Sequence, residues 1–169
     1  MNFYHKIIRF LASGFGLGYA PIAPGTFGTV LGSILFFTLR YQFPHSVAWF
    51  VRFTGIVAIA SIVIAHLAEK SYGSKDCQRI VIDEVAGVLV CYMFLQYSTF
   101  NLVMGFILFR LFDIAKIFPA NWAQDKLPGG LGVVMDDLVA GAQGGLILYY
   151  LPLILQKTGD LLTWWRGIM

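Results

Sequence analysis

Charge is scarce in this chain. Only 12% of its 169 residues are Asp, Glu, Lys or Arg, against 58% hydrophobic, whereas an ordinary soluble domain carries about 25% charged residues. So little polar material cannot cover a soluble surface, which excludes a water-soluble globule, a disordered tail and a nucleic-acid module. The formal net charge of +3 is too small and too scattered for a polybasic domain, so no nucleic acid is expected as a partner. Cysteine is scarce too: Cys77 and Cys91 stand 14 residues apart, about 21 Å along one helix, too far for a disulfide. His5, His45 and His66 are dispersed, which argues against a zinc site. The alternating pattern of a membrane β-barrel is missing, as are low-complexity tracts and long linkers. An all-α integral membrane protein with one domain, residues 1–169, is expected.

Stretches with few charges run from Phe27 to Phe43, Val47 to Ala68, Ile80 to Tyr97, Phe100 to Phe118 and Val133 to Leu155. Each has the length a helix needs to cross a bilayer, so about five transmembrane helices are expected. Turn signals separate them: Pro44, Tyr72-Gly73-Ser74 and Pro128-Gly129-Gly130. Gln96 to Asn101 leaves room only for a tight hairpin. Before the first span, Phe3, Tyr4, Ile7, Ile8, Phe10 and Leu11 mix with His5, Lys6 and Arg9, the composition of a short interfacial helix and not of a signal peptide. The run from Gly14 to Thr26, rich in Gly and Pro, cannot form a regular helix. It reads as a re-entrant or interfacial loop, tolerated at membrane depth only where protein or water covers it.

Orientation follows from the basic residues. With a cytoplasmic N-terminus, that side holds Lys6, Arg9, Lys70, Lys75, Arg79, Arg110, Lys116 and Lys126; the other holds Arg40, Arg52, Lys157 and Arg166. The excess favours the N-terminus inside, and five spans then put the C-terminus outside, with Trp164 and Trp165 as an interfacial anchor.

The same topology sends Glu69, Asp76, Asp83, Glu84, Asp113, Asp125, Asp136 and Asp137 to the cytoplasmic face and only Asp160 to the other. Asp83, Glu84, Asp113, Asp136 and Asp137 sit in or at the edges of apolar spans. A carboxylate there costs several kcal/mol unless it is paired, metal-bound or hydrated. Asp83-Glu84 opens the third span and Asp136-Asp137 the fifth, and each pair is soon followed by a glycine, Gly87 or Gly141. Adjacent helical residues point about 100° apart, so one carboxylate of each pair can face a shared site while the other braces it. Hard oxygen donors converging from two helices suit Mg²⁺ or Mn²⁺. The metal candidates are therefore Asp83, Glu84, Asp136 and Asp137.

Cations are placed to match. Arg110, Asp113 and Lys116 follow at three-residue steps, hence on one side of the fourth helix; Arg110 either pairs with Asp113 or joins Lys116 toward the acids. Where the glycine-rich loop meets the first span, Pro24-Gly25-Thr26 offers backbone N–H groups suited to an anion, with Thr26 as expected N-cap. Gly25, Thr26, Arg110 and Lys116 are thus the phosphate-binding candidates.

These segments together resemble the phosphatidylglycerophosphatase A family of bacterial membrane enzymes. The matching stretches are Gly14-Phe15-Gly16-Leu17-Gly18 through Pro21; Pro24-Gly25-Thr26 with Gly28; Asp83-Glu84 with Gly87; Phe109-Arg110 with Asp113, Lys116 and Pro119; and Gly129-Gly130 with Gly132, Asp136-Asp137 and Ala140-Gly141. The resemblance implies a single membrane-embedded phosphatase domain. Its implied reaction is the Mg²⁺-dependent conversion of phosphatidylglycerophosphate to phosphatidylglycerol at the cytoplasmic face of the bacterial inner membrane. The substrate rests on the resemblance alone, and no protein partner is evident. Other phosphatase chemistries lack their residues: neither cysteine begins Cys-x5-Arg, Asp-x-Asp-x-Thr is absent, and no histidine lies among the acids. Metal-assisted hydrolysis remains. Asp113, Lys116 and Asp137 are the catalytic candidates. Lys116 stabilises the transferring phosphoryl group, and Asp137 is a ligand or the base toward water. Asp113 is a ligand, a nucleophile or the partner that orients Lys116. A transporter for divalent cations or lipid precursors is the alternative from another class, since intramembrane acids also mark ion pathways.

Overall fold

The computed structural model describes residues 3–43, 46–74 and 77–157, the last five of these by their backbone alone. Seven α-helices form among them, and no strand: α1 (Phe3–Ala12), α2 (Pro24–Gln42), α3 (Val47–Tyr72), α4 (Ile82–Cys91), α5 (Thr99–Ala115), α6 (Ala120–Lys126) and α7 (Gly130–Lys157). A 3-10 turn at Leu17–Tyr19 joins α1 to α2, within the Gly/Pro-rich run where no regular helix was expected. Local chemistry sets the ends. Ser98 Oγ accepts the Asn101 N–H at 3.0 Å and caps α5. Gly73, at φ +75°, closes α3 by donating its N–H to the Glu69 carbonyl, a left-handed conformation that glycine adopts without strain.

Helix α4 is the axis of the molecule. Asp83, Val85, Ala86, Gly87, Val88, Leu89 and Cys91 are all buried, because α2, α3, α5 and α7 pack around it, α7 most extensively. Small residues allow this. A Cβ on Gly32 would stand 2.3 Å from Val88 Cγ1, so the Val88 side chain packs onto the bare backbone of α2, and one on Gly141 would stand 2.0 Å from the Gly87 carbonyl oxygen, so α4 and α7 touch backbone to backbone. Around Tyr92 the packing is aromatic: Phe36 stacks on its ring at 4.3 Å between centroids. The Tyr92 hydroxyl donates to the Leu102 carbonyl at 2.8 Å and lies 3.1 Å from Ser33 Oγ.

Among the described residues two helices, α3 and α7 from Gly130 to Pro152, are long and apolar enough to cross a membrane. That is fewer than the five expected. The third expected span is the clear correction: α4 has only ten residues, about 15 Å of rise, half a bilayer core. Beyond Cys91 the chain goes into turns, and Leu95 offers its carbonyl to Arg40 Nη2, 3.3 Å away in the last turn of α2. The segment therefore reaches the far end of α2 without remaining helical. Helix α2 itself dilutes its apolar residues with Gly25, Gly28, Gly32 and the buried Arg40. Outward faces are nonetheless apolar, including Ile34 and Phe37 on α2, Ile56 and Ile59 on α3, and Leu111 and Ile114 on α5.

The short N-terminal helix expected before the first span forms as α1. It buries Ile8 and Ala12 and exposes Phe3, Tyr4, Ile7 and Phe10. Arg9 ties it to the end of α3, donating from Nε to Ser71 Oγ at 2.9 Å and lying 4.7 Å over the Tyr72 ring. Pro44, His45, Asp76, Asp160 and the expected anchor at Trp164 and Trp165 lie outside the described residues.

Candidate active site

The backbone contact between Gly87 and Gly141 fixes where the acids meet. Each glycine lies one helical turn after an acid, Asp83 on α4 and Asp137 on α7, so clamping the glycines brings the carboxylates together. One oxygen each from Asp83, Glu84 and Asp137 falls within 4.8 Å of the others, close enough for all three to touch a single ion. Asp83 and Asp137 are only 6% and 4% exposed, and Glu84 Oε2 is buried with no hydrogen-bond partner. A buried, unsatisfied carboxylate oxygen needs a cation or proton beside it.

Asp136, expected among the metal ligands, is placed differently. Its Oδ1 accepts the Asp137 N–H at 3.0 Å, and its Oδ2 accepts from Lys116 Nζ at 2.7 Å. Asp83 Oδ1 likewise accepts the following amide, that of Glu84, at 3.1 Å. The first acid of each pair thus accepts its neighbour's amide, Asp83 in the first turn of α4 but Asp136 well inside α7, which starts at Gly130 and not, as expected, at the acidic pair. On α4 both acids still reach the cluster; on α7 only Asp137 does.

Lys116 terminates α5 in the left-handed conformation, φ +45°, sparsely populated by residues with a side chain. Arg110 bonds Asp113 Oδ2 at 2.5 Å, while its Nη1 stands 4.0 Å from Glu84 Oε1. Of the roles open to Asp113, the contact seen is with Arg110. Gly25 completes this corner: a Cβ there would lie 2.1 Å from Glu84 Oε1 and 3.1 Å from Arg110 Nη1.

All these groups open on one cleft of about 370 Å³, lined by Gly25, Asp83, Glu84, Arg110, Asp113, Lys116, Asp136 and Asp137 together with Pro21, Pro24 and Gln78. Thr26 does not line it. Its N–H is spent on the Ala23 carbonyl at 2.9 Å, and the N-cap of α2 is Ala23, not Thr26. Gln78 was not singled out from the sequence; a lone glutamine in a loop gives no signal. Five carboxylates face two cations in this cleft, an imbalance that rejects an anionic group until a cation offsets it. Arg110 and Lys116 are the fixed donors of this cleft, groups of a kind able to hold phosphate oxygens.

The phosphatidylglycerophosphatase A family model matches residues 10–152. Phosphatidylglycerophosphatase A of Escherichia coli strain K12 is 36% identical over 142 residues, covering 83% of this chain and 81% of the relative. The protein of that name from Haemophilus influenzae is 32% identical over 143 residues, covering 84% and 86%. A Bacteroides thetaiotaomicron protein, named for a proposed phosphatidylinositol-3-phosphatase activity, is also 32% identical, covering 82% and 89%. No solved structure matches the chain at a significant level.

Proposed function

The chain belongs to the phosphatidylglycerophosphatase A family and is a phosphatase, and on that premise we propose that it hydrolyses the terminal phosphomonoester of phosphatidylglycerophosphate in a divalent-cation-dependent reaction. Phosphatidylglycerol and inorganic phosphate are the products. The observation that carries this reading is the carboxylate trio of Asp83, Glu84 and Asp137, with its unsatisfied oxygen, in one cleft with Arg110 and Lys116. An all-oxygen donor set of this kind fits Mg²⁺ or Mn²⁺. When bound, such an ion neutralises phosphoryl charge and lowers the pKa of an attacking water.

The chain's own groups do the remainder. Arg110, held by Asp113, and Lys116, held by Asp136, donate hydrogen bonds to the nonbridging oxygens, whose charge develops in the transition state. Asp113 and Asp136 are occupied by those cations, so the proton of the attacking water passes to a carboxylate of the trio, Asp137 being the candidate. Water oxygen bonds to phosphorus, the phosphorus–oxygen bond to glycerol breaks, and the glycerol oxygen leaves as a hydroxyl by taking the proton that the trio carboxylate received from the water. The backbone of Gly25, against which Glu84 Oε1 and Arg110 Nη1 pack, borders the cleft where the phosphate would sit.

The outward apolar faces and the two long apolar helices support a bilayer setting, with α1 at the interface. Lys and Arg distribution supports a cleft facing the cytoplasm, the inner-membrane side of a bacterium. Transport has no support in the family match. The reading is tested with purified protein in detergent micelles containing Mg²⁺, by measuring phosphate release from phosphatidylglycerophosphate and from phosphatidylinositol 3-phosphate. A clear preference for the former supports it; release from neither overturns it.

A further inference from the structure

Beside the acidic cleft lies a second one of about 470 Å³, and Pro21, Pro24 and Gln78 line both. Its character is the opposite. Among the described residues no carboxylate lines it, and the charged group there is Arg79. Gly18 fixes this wall, since a Cβ there would lie 2.2 Å from the Arg79 carbonyl oxygen; only a glycine lets the 3-10 turn close on that backbone. The Arg79 guanidinium sits 5.4 Å from the centroid of the Tyr19 ring. Tyr19 is held in turn by Tyr72, with 3.0 Å between their hydroxyls. No hydrogen bond or ion pair engages the Arg79 side chain among the described residues. A guanidinium resting on an aromatic face keeps its in-plane N–H donors available for a phosphate.

From this juxtaposition we propose that Arg79 binds the phosphodiester of the lipid substrate and is a specificity-determining residue. The inference rests on the reading of the acidic cleft as the site of phosphomonoester hydrolysis. A lipid that presents a monoester there carries a second, singly charged phosphate a short bridge away. That phosphate needs one cation and no metal, which is what the adjoining cleft offers. Beyond the diester come the acyl chains, and Phe15, Leu17 and Ile22 of the same loop are exposed apolar groups suited to them. The acidic cleft, the adjoining cleft with Arg79 and the apolar loop thus offer one surface each to the monoester, the diester and the hydrocarbon of the lipid.

The test compares wild type with Arg79→Ala and Arg79→Lys in neutral detergent micelles with phosphatidylglycerophosphate as substrate. Competing ligands are phosphatidylglycerol, which carries the diester alone; phosphatidic acid, which carries chains and a monoester; and inorganic phosphate. In Arg79→Ala the KM and the inhibition constant of phosphatidylglycerol should rise about tenfold or more, the scale of a lost charge-assisted contact. The constants for phosphatidic acid and phosphate should move less than about twofold, and Arg79→Lys should recover part of the loss. An unchanged phosphatidylglycerol constant overturns the proposal. So does an equal rise for both lipids, which would make Arg79 a general surface contact. Wild type that releases no phosphate from phosphatidylglycerophosphate fails the underlying reading instead, and that is scored before any variant is compared.

Discussion

Gly141→Ala tests the step from packing to chemistry. The added Cβ would stand 2.0 Å from the Gly87 carbonyl oxygen, 2.9 Å from its carbon and 3.2 Å from Cys91 N. All three are backbone atoms, so no side-chain rotation relieves the clash. Restoring an ordinary contact of 3.4 Å parts α4 from α7 by about 1.4 Å. One turn away, Asp83 and Asp137 part with them, and the trio whose oxygens now lie within 4.8 Å opens by a similar amount. A misplacement near 1 Å is enough to cost about 100-fold in rate, and overpacking costs about 1–3 kcal/mol of stability. The matched control is Gly55→Ala on α3, where nothing lies within 4 Å of the new Cβ and a helical alanine is favourable by about 0.5–1 kcal/mol. Thermal unfolding in detergent and phosphate release at several Mg²⁺ concentrations would be recorded for both. Gly141→Ala should lose about 100-fold in kcat/KM, require more Mg²⁺ for half-activity and melt lower, with Gly55→Ala close to wild type. Activity of Gly141→Ala within twofold of that control would refute the argument that helix contact sets the site.

Asp83→Asn and Asp137→Asn keep the shape of the site but remove charge, so each should lose about 100-fold or more in phosphate release; the double variant should be no worse than the poorer single one, because a site emptied of metal has little left to lose. Multiplicative losses would put the two acids in separate roles. Lys116→Ala should cut turnover about 100-fold while Mn²⁺ binding persists, and Asp136→Asn, which frees the ammonium from its 2.7 Å partner, should lose less. Full activity in Lys116→Ala would remove it from the site. For sidedness, a cysteine at Lys126 should react with an impermeant thiol reagent only from the cytoplasm and one at Gln42 only from outside; labelling of both from one side contradicts the orientation.

What the sequence disclosed was decided by cost. Acids inside apolar runs are expensive wherever they fall, so Asp83, Glu84, Asp113, Asp136 and Asp137 stand out before any fold is known, and the glycine four residues after Asp83 and Asp137 marks the close approach; which acid of the second pair joins the cluster was not legible. Arg110 with Asp113 was legible because three-residue spacing on a helix is local geometry. The partner of Lys116 was not, because it depends on a left-handed residue at the end of α5 that nothing but glycine usually announces. The end of α4 was equally hidden. A helix buried on every side carries no periodicity, and the apolar run continues past Cys91 although Tyr92 and Leu95 are held by Ser33, Leu102 and Arg40. Thr26 looked like a cap by residue type, yet Pro24 at the first helical position and Ala23 before it set the start of α2.

The central claim is that Asp83, Glu84 and Asp137 hold a divalent cation on which phosphate release depends. Its most direct measurement is phosphate release from phosphatidylglycerophosphate by protein stripped with a chelator and then titrated with Mg²⁺, run alongside the Glu84→Gln variant. No turnover in chelator, saturable recovery in wild type, and weak recovery at much higher Mg²⁺ in the variant are the expected results. Undiminished turnover in the presence of excess chelator would contradict it.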